Sequence, residues 1–338
     1  MKNNILVTGA AGFIGTNFIY HWLKNNPDDK IIGLDALTYA GVEKNLDLAK
    51  KTSNFKFIKC NINDNDQLPE IFNKNCINKV VHFAAESHVD RSIQDPGLFL
   101  KTNILGTFNL LDNAKKFWKE NKIQDHHFHH ISTDEVYGDL SVNEAAFTEN
   151  NQYLPNSPYA ASKASSDHIV RAFNKTYSIK TTISNCSNNY GPFQFPEKLI
   201  PVIILNILNQ KEIPIYGDGL NIRDWLHVSD HCNAIELIIK NGSDGETYNI
   251  GTNNEVTNID LVNRICEIID NQKIGIENSK KLISYVGDRL GHDRRYAINS
   301  TKIKKDLGFK AIKTFDESLE DTVKWYLENK KWYTDIIK

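Results

Sequence analysis

The sequence predicts an α/β fold, a doubly wound parallel sheet that carries a smaller α+β lobe. Three observations predict it. Short apolar runs alternate with amphipathic segments through the first half, joined by short connections, as in successive βαβ units. The first apolar run enters a glycine-rich turn that opens directly into a helical pattern. After Pro192 the alternation gives way to scattered basic and aromatic residues in loops. At 338 residues the chain is long enough for two lobes. The expected division is 1–190 for the first domain and 191–338 mainly for the second, with some segments returning to the first.

Taken in order, Asn4–Thr8 is a strand followed at once by Gly9-Ala10-Ala11-Gly12-Phe13-Ile14-Gly15 and a helical pattern through Lys24. Glycine at such a turn lets the backbone bend tightly and approach a pyrophosphate at the positive helix end. A second strand over 31–34 leads to Asp35, 20 residues past Gly15. An acidic side chain at that distance hydrogen-bonds the adenosine ribose hydroxyls. It would also repel a 2′-phosphate, and no Arg follows within the next turn, so the expected cofactor is NAD rather than NADP. A third strand over 56–60 ends at Asn61-Ile62, and a fourth over 79–83 ends at Ala84-Ala85-Glu86-Ser87. Small residues after a strand allow close approach to a flat ligand. The pattern to this point is Rossmann-like. An amphipathic helix is expected over 102–116 and a fifth strand over 128–131. Further on, helices are expected over 230–240 and 260–270, a strand at Thr247–Ile250 and a helix at Phe315–Glu328. The apolar stripe of that last helix suits packing within the chain.

Composition narrows the classes. A formal net charge of −2 supplies no basic field and argues against nucleic acid as a partner. The most apolar window, 199–208, is about half a membrane span, so no membrane is expected. The chain opens with Met-Lys-Asn-Asn and a β-like run, without a hydrophobic signal core. Five scattered cysteines include no Cys-x-x-Cys pair, which suits buried thiols in a reducing cytoplasm. His126, His127, His129 and His130 invite a metal reading, but along a strand they alternate faces, and no metal is expected.

The fifth strand runs into Ser132-Thr133-Asp134-Glu135-Val136-Tyr137-Gly138. Ligands of open α/β sheets bind in the crevice beyond the carboxyl ends of the strands, where this stretch falls. Pro158-Tyr159-Ala160-Ala161-Ser162-Lys163 follows, opening a helix that would carry Tyr159 and Lys163 on one side. A phenol with a reference pKa of about 10 is a poor base, and a neighbouring ammonium lowers that value. Such a pair removes a hydroxyl proton while hydride leaves the same carbon. Adjacent Asp134 and Glu135 can act as acid and base only if their surroundings drive their pKa values apart.

Ordered segments along the whole chain carry a resemblance. They are 8–15, 35–41, 82–92, 132–138, Tyr159 with Lys163, 185–192, 195–201, 222–226 and 291–296. In them the chain resembles the extended short-chain dehydrogenase/reductases, in the branch of NAD-dependent epimerases and dehydratases that includes enzymes acting on dTDP-glucose. The resemblance implies a hydro-lyase that oxidises the sugar at C4 with NAD, removes water across C5 and C6, and returns the hydride to C6. That product opens routes to rhamnose and other deoxysugars. Tyr159, assisted by Lys163 and Thr133, would take the C4 hydroxyl proton. Glu135 would remove the C5 proton, and protonated Asp134 would supply the departing C6 hydroxyl. The implied NAD contacts are Gly9, Gly12, Phe13, Ile14, Gly15, Asp35, Ala36, Leu37, Thr38, Asn61, Ile62, Ala84, Ala85, Ser87, Thr102, Tyr159, Lys163 and Asn189. The implied sugar-nucleotide contacts are Ser87, Thr133, Asn188, Lys198, Leu199, Arg223, Asn258 and the loop of Asp288, Arg289, Leu290, Gly291 and His292. Pro214, Ile215 and Tyr216 would flank the base. A homodimer through the helices 102–116 and 162–175 is implied as well.

Three positions depart from the family pattern. Leu290 stands for a usual Pro, Asn61 for an Asp that accepts from the adenine amino group, and Ala10 for a common Gly. An Asn carbonyl can accept the same bond. The competing readings are a nucleotide-sugar 4-epimerase, a dehydratase for GDP-mannose or CDP-glucose, and a non-catalytic NAD-binding protein. An epimerase needs no acid and base at C5 and C6, and a sensor needs neither the pair nor Tyr159 and Lys163.

Overall fold

The computed structural model describes residues 2–288 and 293–337. Seven strands form one sheet: β1 (Asn4–Thr8), β2 (Lys30–Asp35), β3 (Phe55–Lys59), β4 (Lys79–His82), β5 (His127–Thr133), β6 (Thr181–Cys186) and, from later in the chain, Thr247–Ile250. Between the last two come β7 (Asn188–Tyr190), β8 (Ile213–Tyr216) and β9 (Ile222–His227), which makes Thr247–Ile250 β10. The sheet order is β10-β6-β5-β4-β1-β2-β3, and every pairing is parallel. The winding reverses on either side of β1, with β2 against one edge and β4 against the other. A crevice opens there, beyond the strands' carboxyl ends.

Both faces of the sheet are buried, as a parallel sheet requires. Leu6 of β1 joins Phe72, Leu110 and Phe128 on one face. Its neighbours Ile5 and Val7 join Phe18, Trp22 and Ile235 on the other. The alternation follows from the two-residue period of a strand. Ile235 belongs to the helix Val228–Asn241, so this helix and β10 both pack with the first sheet although they lie beyond residue 190.

The second lobe holds β11 (Glu255–Thr257), β12 (Ile283–Val286) and β13 (Arg295–Tyr296). β9 pairs with β11 antiparallel and with β7 and β13 in parallel, while β8 and β12 form a separate parallel pair. The lobe has its own core, with Ile203, Ile204, Leu261, Ile265, Leu319, Val323 and Tyr326 buried together. Its helix Phe315–Glu328 starts on a reciprocal cap between Thr314 and Glu317.

One expected helix is built differently. Residues Leu100–Gly106 wind as a π turn before the regular helix Thr107–Glu120. The reason lies in Asn103, whose side chain clasps the Glu86 backbone (N–H to Oδ1 2.9 Å, Nδ2 to carbonyl 3.0 Å) and donates to Ser162 Oγ at 2.8 Å. Thr107 Oγ1 takes up the Asn103 carbonyl at 2.7 Å. Single π turns of this kind gather at functional sites.

Candidate active site

The glycine turn is shaped by close approach. Gly9 has φ +66°, and a Cβ there would sit 2.8 Å from the Ala84 amide nitrogen. A Cβ on Gly15 would overlap the Gly9 carbonyl, so the first helical turn lies directly on the loop. The helix Phe13–Asn25 begins without a side-chain cap, which leaves its first N–H groups to an anion. Asp35 ends β2 and ties the neighbouring loops: Oδ2 accepts from Ala11 N at 2.9 Å and Oδ1 from Leu37 N at 2.8 Å. Burial raises its pKa against those two bonds. Each carboxylate oxygen keeps capacity for a ribose hydroxyl.

A cavity of about 380 Å³ runs from this turn to the end of β5. The ends of β1 to β6 all reach it, through Gly9, Asp35, Asn61, Ala84, Thr133 and Ser187. Of the residues expected to hold NAD, Gly9, Gly12, Phe13, Ile14, Gly15, Asp35, Ala36, Thr38, Asn61, Ile62, Ala84, Ala85, Ser87, Thr102, Tyr159, Lys163 and Asn189 line it. Leu37 does not; its backbone, at φ +55°, turns the chain under Asp35 instead. A backbone cradle that a methyl group would fill, with an acidic acceptor across from it, fits a dinucleotide.

Thr133, Asp134 and Glu135 stand at the far end of this cavity. The Thr133 hydroxyl caps the short 3-10 turn Asp134–Tyr137, accepting from Glu135 N at 3.3 Å and donating to Asp134 Oδ1 at 3.3 Å. Asp134 is buried, and its Oδ2 has no hydrogen-bond partner among the described residues. Burial, then the charges of Glu135 and Asp224, hold its carboxyl well above the usual carboxylate range. Such surroundings favour the protonated carboxyl over the carboxylate.

The helix Pro158–Tyr177 starts on Ser157, whose hydroxyl accepts from Ala160 N, with Pro158 in the first position. Tyr159 and Lys163 both reach the cavity from one side of this helix. The Lys163 ammonium donates to the Ile131 carbonyl at 2.8 Å and lies 3.2 Å from His130 Nε2. The phenol is raised well above its ordinary value by burial and then by Glu135, with the Thr133 hydroxyl pulling it down. A buried ammonium takes the nearest strong acceptor, here a strand carbonyl one helical turn below the phenol.

The four neighbouring histidines are engaged by protein groups. His127 and His129 both reach Thr182 Oγ1 at 2.8 Å, His126 stacks on Trp118, and His130 faces the Tyr159 helix. Among the described residues no group of three or more His, Cys, Asp or Glu could hold a metal.

The residues expected to meet the sugar nucleotide fall into two sets. Ser87, Thr133, Asn188 and Lys198 line the cavity. Lys198 reaches the Ser87 carbonyl at 3.3 Å, and Asn188 Oδ1 is buried with no hydrogen-bond partner among the described residues. Leu199, Pro214, Ile215, Tyr216, Arg223, Asn258 and Asp288 do not line it and sit in the second lobe. Leu199 starts the helix Leu199–Leu208, and 214–216 lie on β8. The buried Arg223 guanidinium lies 4.3 Å from the Tyr296 ring centre and donates to the Asp293 carbonyl at 2.9 Å. Its charge is felt at Asp134, so this cluster adjoins the acid end of the cavity. Asn258 N–H binds the Asn221 carbonyl at 3.0 Å while its own Oδ1 has no partner among the described residues. Asp288 lies beside Gly217. Arg289, Leu290, Gly291 and His292 lie outside the described residues. Arg294 and Arg295 are ion-paired, to Asp218 and Glu255.

Several lining residues escaped the sequence reading: Tyr39, Glu86, Cys186, Gln194, Phe195 and Glu197. Tyr39 meets Phe195 edge-on at 5.8 Å and lies under the Arg91 guanidinium at 3.8 Å. All but Gln194 fall inside the resembling segments, which was the available signal.

Sheet, glycine turn and Tyr/Lys helix together define a short-chain dehydrogenase/reductase. Within that class, the model of the GDP-mannose 4,6 dehydratase family matches residues 6–322, and the chain belongs to this family. It is 48% identical to the dTDP-glucose 4,6-dehydratase of Salmonella typhimurium, covering 98% of this chain and 95% of the relative. It is also 48% identical to the enzyme of that name from Neisseria meningitidis, over 98% and 96%. Among solved structures it is similar to dTDP-glucose 4,6-dehydratase from Bacillus anthracis in complex with NAD (TM-score 0.89, 43% identity, 99% of each chain). A UDP-glucose 4-epimerase from Thermotoga maritima with UDP-glucose is similar at TM-score 0.84 and 30% identity, over 96% and 99% of the two chains.

Proposed function

We propose that the chain is a dTDP-glucose 4,6-dehydratase, which converts dTDP-glucose to dTDP-4-keto-6-deoxyglucose and water. NAD bound in this cavity would supply a reversible hydride acceptor for C4 and donor for C6, so none would be consumed. The chain's own residues handle protons. Tyr159 takes the C4 hydroxyl proton, with Thr133 hydrogen-bonded beside it and the Lys163 charge below. Glu135 takes the C5 proton, made acidic by the new ketone, and a proton returns to C5 as hydride arrives at C6. Asp134 gives its proton to the leaving C6 hydroxyl. Asp35 holds the adenosine ribose, the Gly9–Gly15 turn the pyrophosphate, and Lys198 with Arg223 the nucleotide phosphates. The remaining sugar-nucleotide contacts keep the roles the resemblance implies, and residues 228–250 return to the NAD-binding domain.

The observation that carries this reading is Asp134, buried beside Glu135 with one carboxyl oxygen unpartnered among the described residues. An epimerase has no use for that pair. Incubation with NAD and dTDP-glucose should give a product that absorbs strongly after alkali, as a 4-keto-6-deoxy sugar does; an epimer would not. Running UDP-, GDP- and CDP-linked sugars in parallel tests the nucleotide, and equal turnover of all four would refute the dTDP assignment.

Gly15→Ala is expected to weaken NAD binding about tenfold or more, the order of the 1–3 kcal/mol cost of overpacking. Calorimetric titration measures this, and an unchanged affinity would contradict the proposed place of the pyrophosphate.

A homodimer suits the helices on this edge. Leu105 and Phe108 expose 55% and 42% of their surface from the segment 102–116, and Tyr177, exposed to 51%, ends the helix that carries 162–175. A monomer mass by light scattering would count against it. No helix of the described residues is long and apolar enough to cross a membrane, and a cytoplasmic location is proposed on the family's chemistry.

A further inference from the structure

Lys163 is one member of a buried polar chain whose other members the reaction above leaves unused. His130 Nε2, 3.2 Å from the ammonium, is 3.3 Å from Asp167 Oδ1 and 3.1 Å from Ser166 Oγ. Asp167 lies one helical turn past Lys163 and is fully buried. Its Oδ2 accepts from Ser132 Oγ at 2.8 Å, next to the catalytic Thr133. On the far side the Tyr153 hydroxyl faces it and receives bonds from Arg171 at 2.8 Å and Asn185 at 3.0 Å. A carboxylate sunk this deeply is retained only if cations or donors compensate its lost hydration. Two cations do so here, Lys163 and Arg171.

The other titratable groups facing this pair leave the charge balance to Asp167. His130 and His129 on β5 and His82 on β4 are held neutral by burial, well below the ordinary histidine range. Cys186 on β6 is pushed up to about 12, and the Tyr153 phenol is raised too. Tyr159 itself faces Glu135 and Asp134, which oppose its ionisation.

We propose that Asp167 is a positioning residue for proton abstraction by Tyr159: it balances the buried Lys163 ammonium and keeps it charged where the phenolate needs it. The inference rests on the dehydratase reading only for the use made of Tyr159. Burial lowers Lys163 to about 8, and Asp167 is the strongest influence raising it. Without that carboxylate, Lys163 sheds its proton closer to neutrality and the phenolate loses its cation.

The test uses the NAD-loaded enzyme and Asp167→Asn, which keeps the shape and removes the charge. The acid limb of the kcat/KM profile should move to higher pH by about one unit, the size expected for loss of one close charge. The near-ultraviolet tyrosinate titration of the holoenzyme, taken without sugar, should move with it. Ser132→Ala, which withdraws only the hydrogen bond to Asp167, should shift both in the same direction by less, and it decides the matter if the Asn variant does not fold. A lowered plateau or melting temperature with both titrations unmoved would overturn the inference. Wild-type protein that titrates Tyr159 yet forms no keto sugar would sink the dehydratase reading and leave this one standing.

Discussion

Tyr159→Phe should lower turnover of dTDP-glucose by about 10²–10⁴-fold, the usual worth of a positioned general base. The phenol reaches the cavity from the first turn of its helix, and Phe fills the same space without an oxygen. NAD binding should survive, because Asp35 and the glycine turn are untouched. Rapid mixing of the NAD-loaded variant with substrate should show no absorbance of reduced nicotinamide, since the C4 hydroxyl keeps its proton. A variant that reduces its cofactor at the wild-type rate would remove Tyr159 from the first step.

The complementary result is expected from Glu135→Gln. Oxidation at C4 should proceed while loss of water falls by about 10²–10⁴-fold, so reduced cofactor should build up toward one equivalent per site. Deuterium placed at C4 should reappear at C6 of the wild-type product and stay on the cofactor in the variant. Equal loss of oxidation in the Tyr159 and Glu135 variants would defeat the division of labour. Asp134 adds a pH signature. Its carboxyl is held well above the usual range by burial and by Glu135 and Asp224, and in the proposed mechanism the protonated form gives the proton. Turnover should therefore fall as pH rises through that elevated value. Asp134→Asn, neutral at every pH but with no proton to give, should lose water elimination across the whole range.

Much of this was legible in the residues. The strand at Asn4–Thr8, the turn after it, Asp35 and the order of alternating elements announce the parallel sheet, because local spacing alone sets which groups face a phosphate or a ribose. The strand Thr247–Ile250 and the helix Phe315–Glu328 were also readable from periodicity. The π turn at Leu100–Gly106 was not, since it depends on Asn103 reaching Glu86 and Ser162, which lie 17 and 59 residues away.

Residue identity and spacing were enough to specify the dinucleotide turn, the Tyr/Lys pair and the two adjacent carboxylates. Folding alone decided their charge states. Asp134 holds its proton more tightly than an ordinary carboxyl because the interior strips its water beside Glu135 and Asp224, the second of these 90 residues away. Lys163 turns to the Ile131 carbonyl and His130 because β5 lies against its helix. Proton affinity is a property of surroundings, and those surroundings are assembled from segments that only the packed chain brings together.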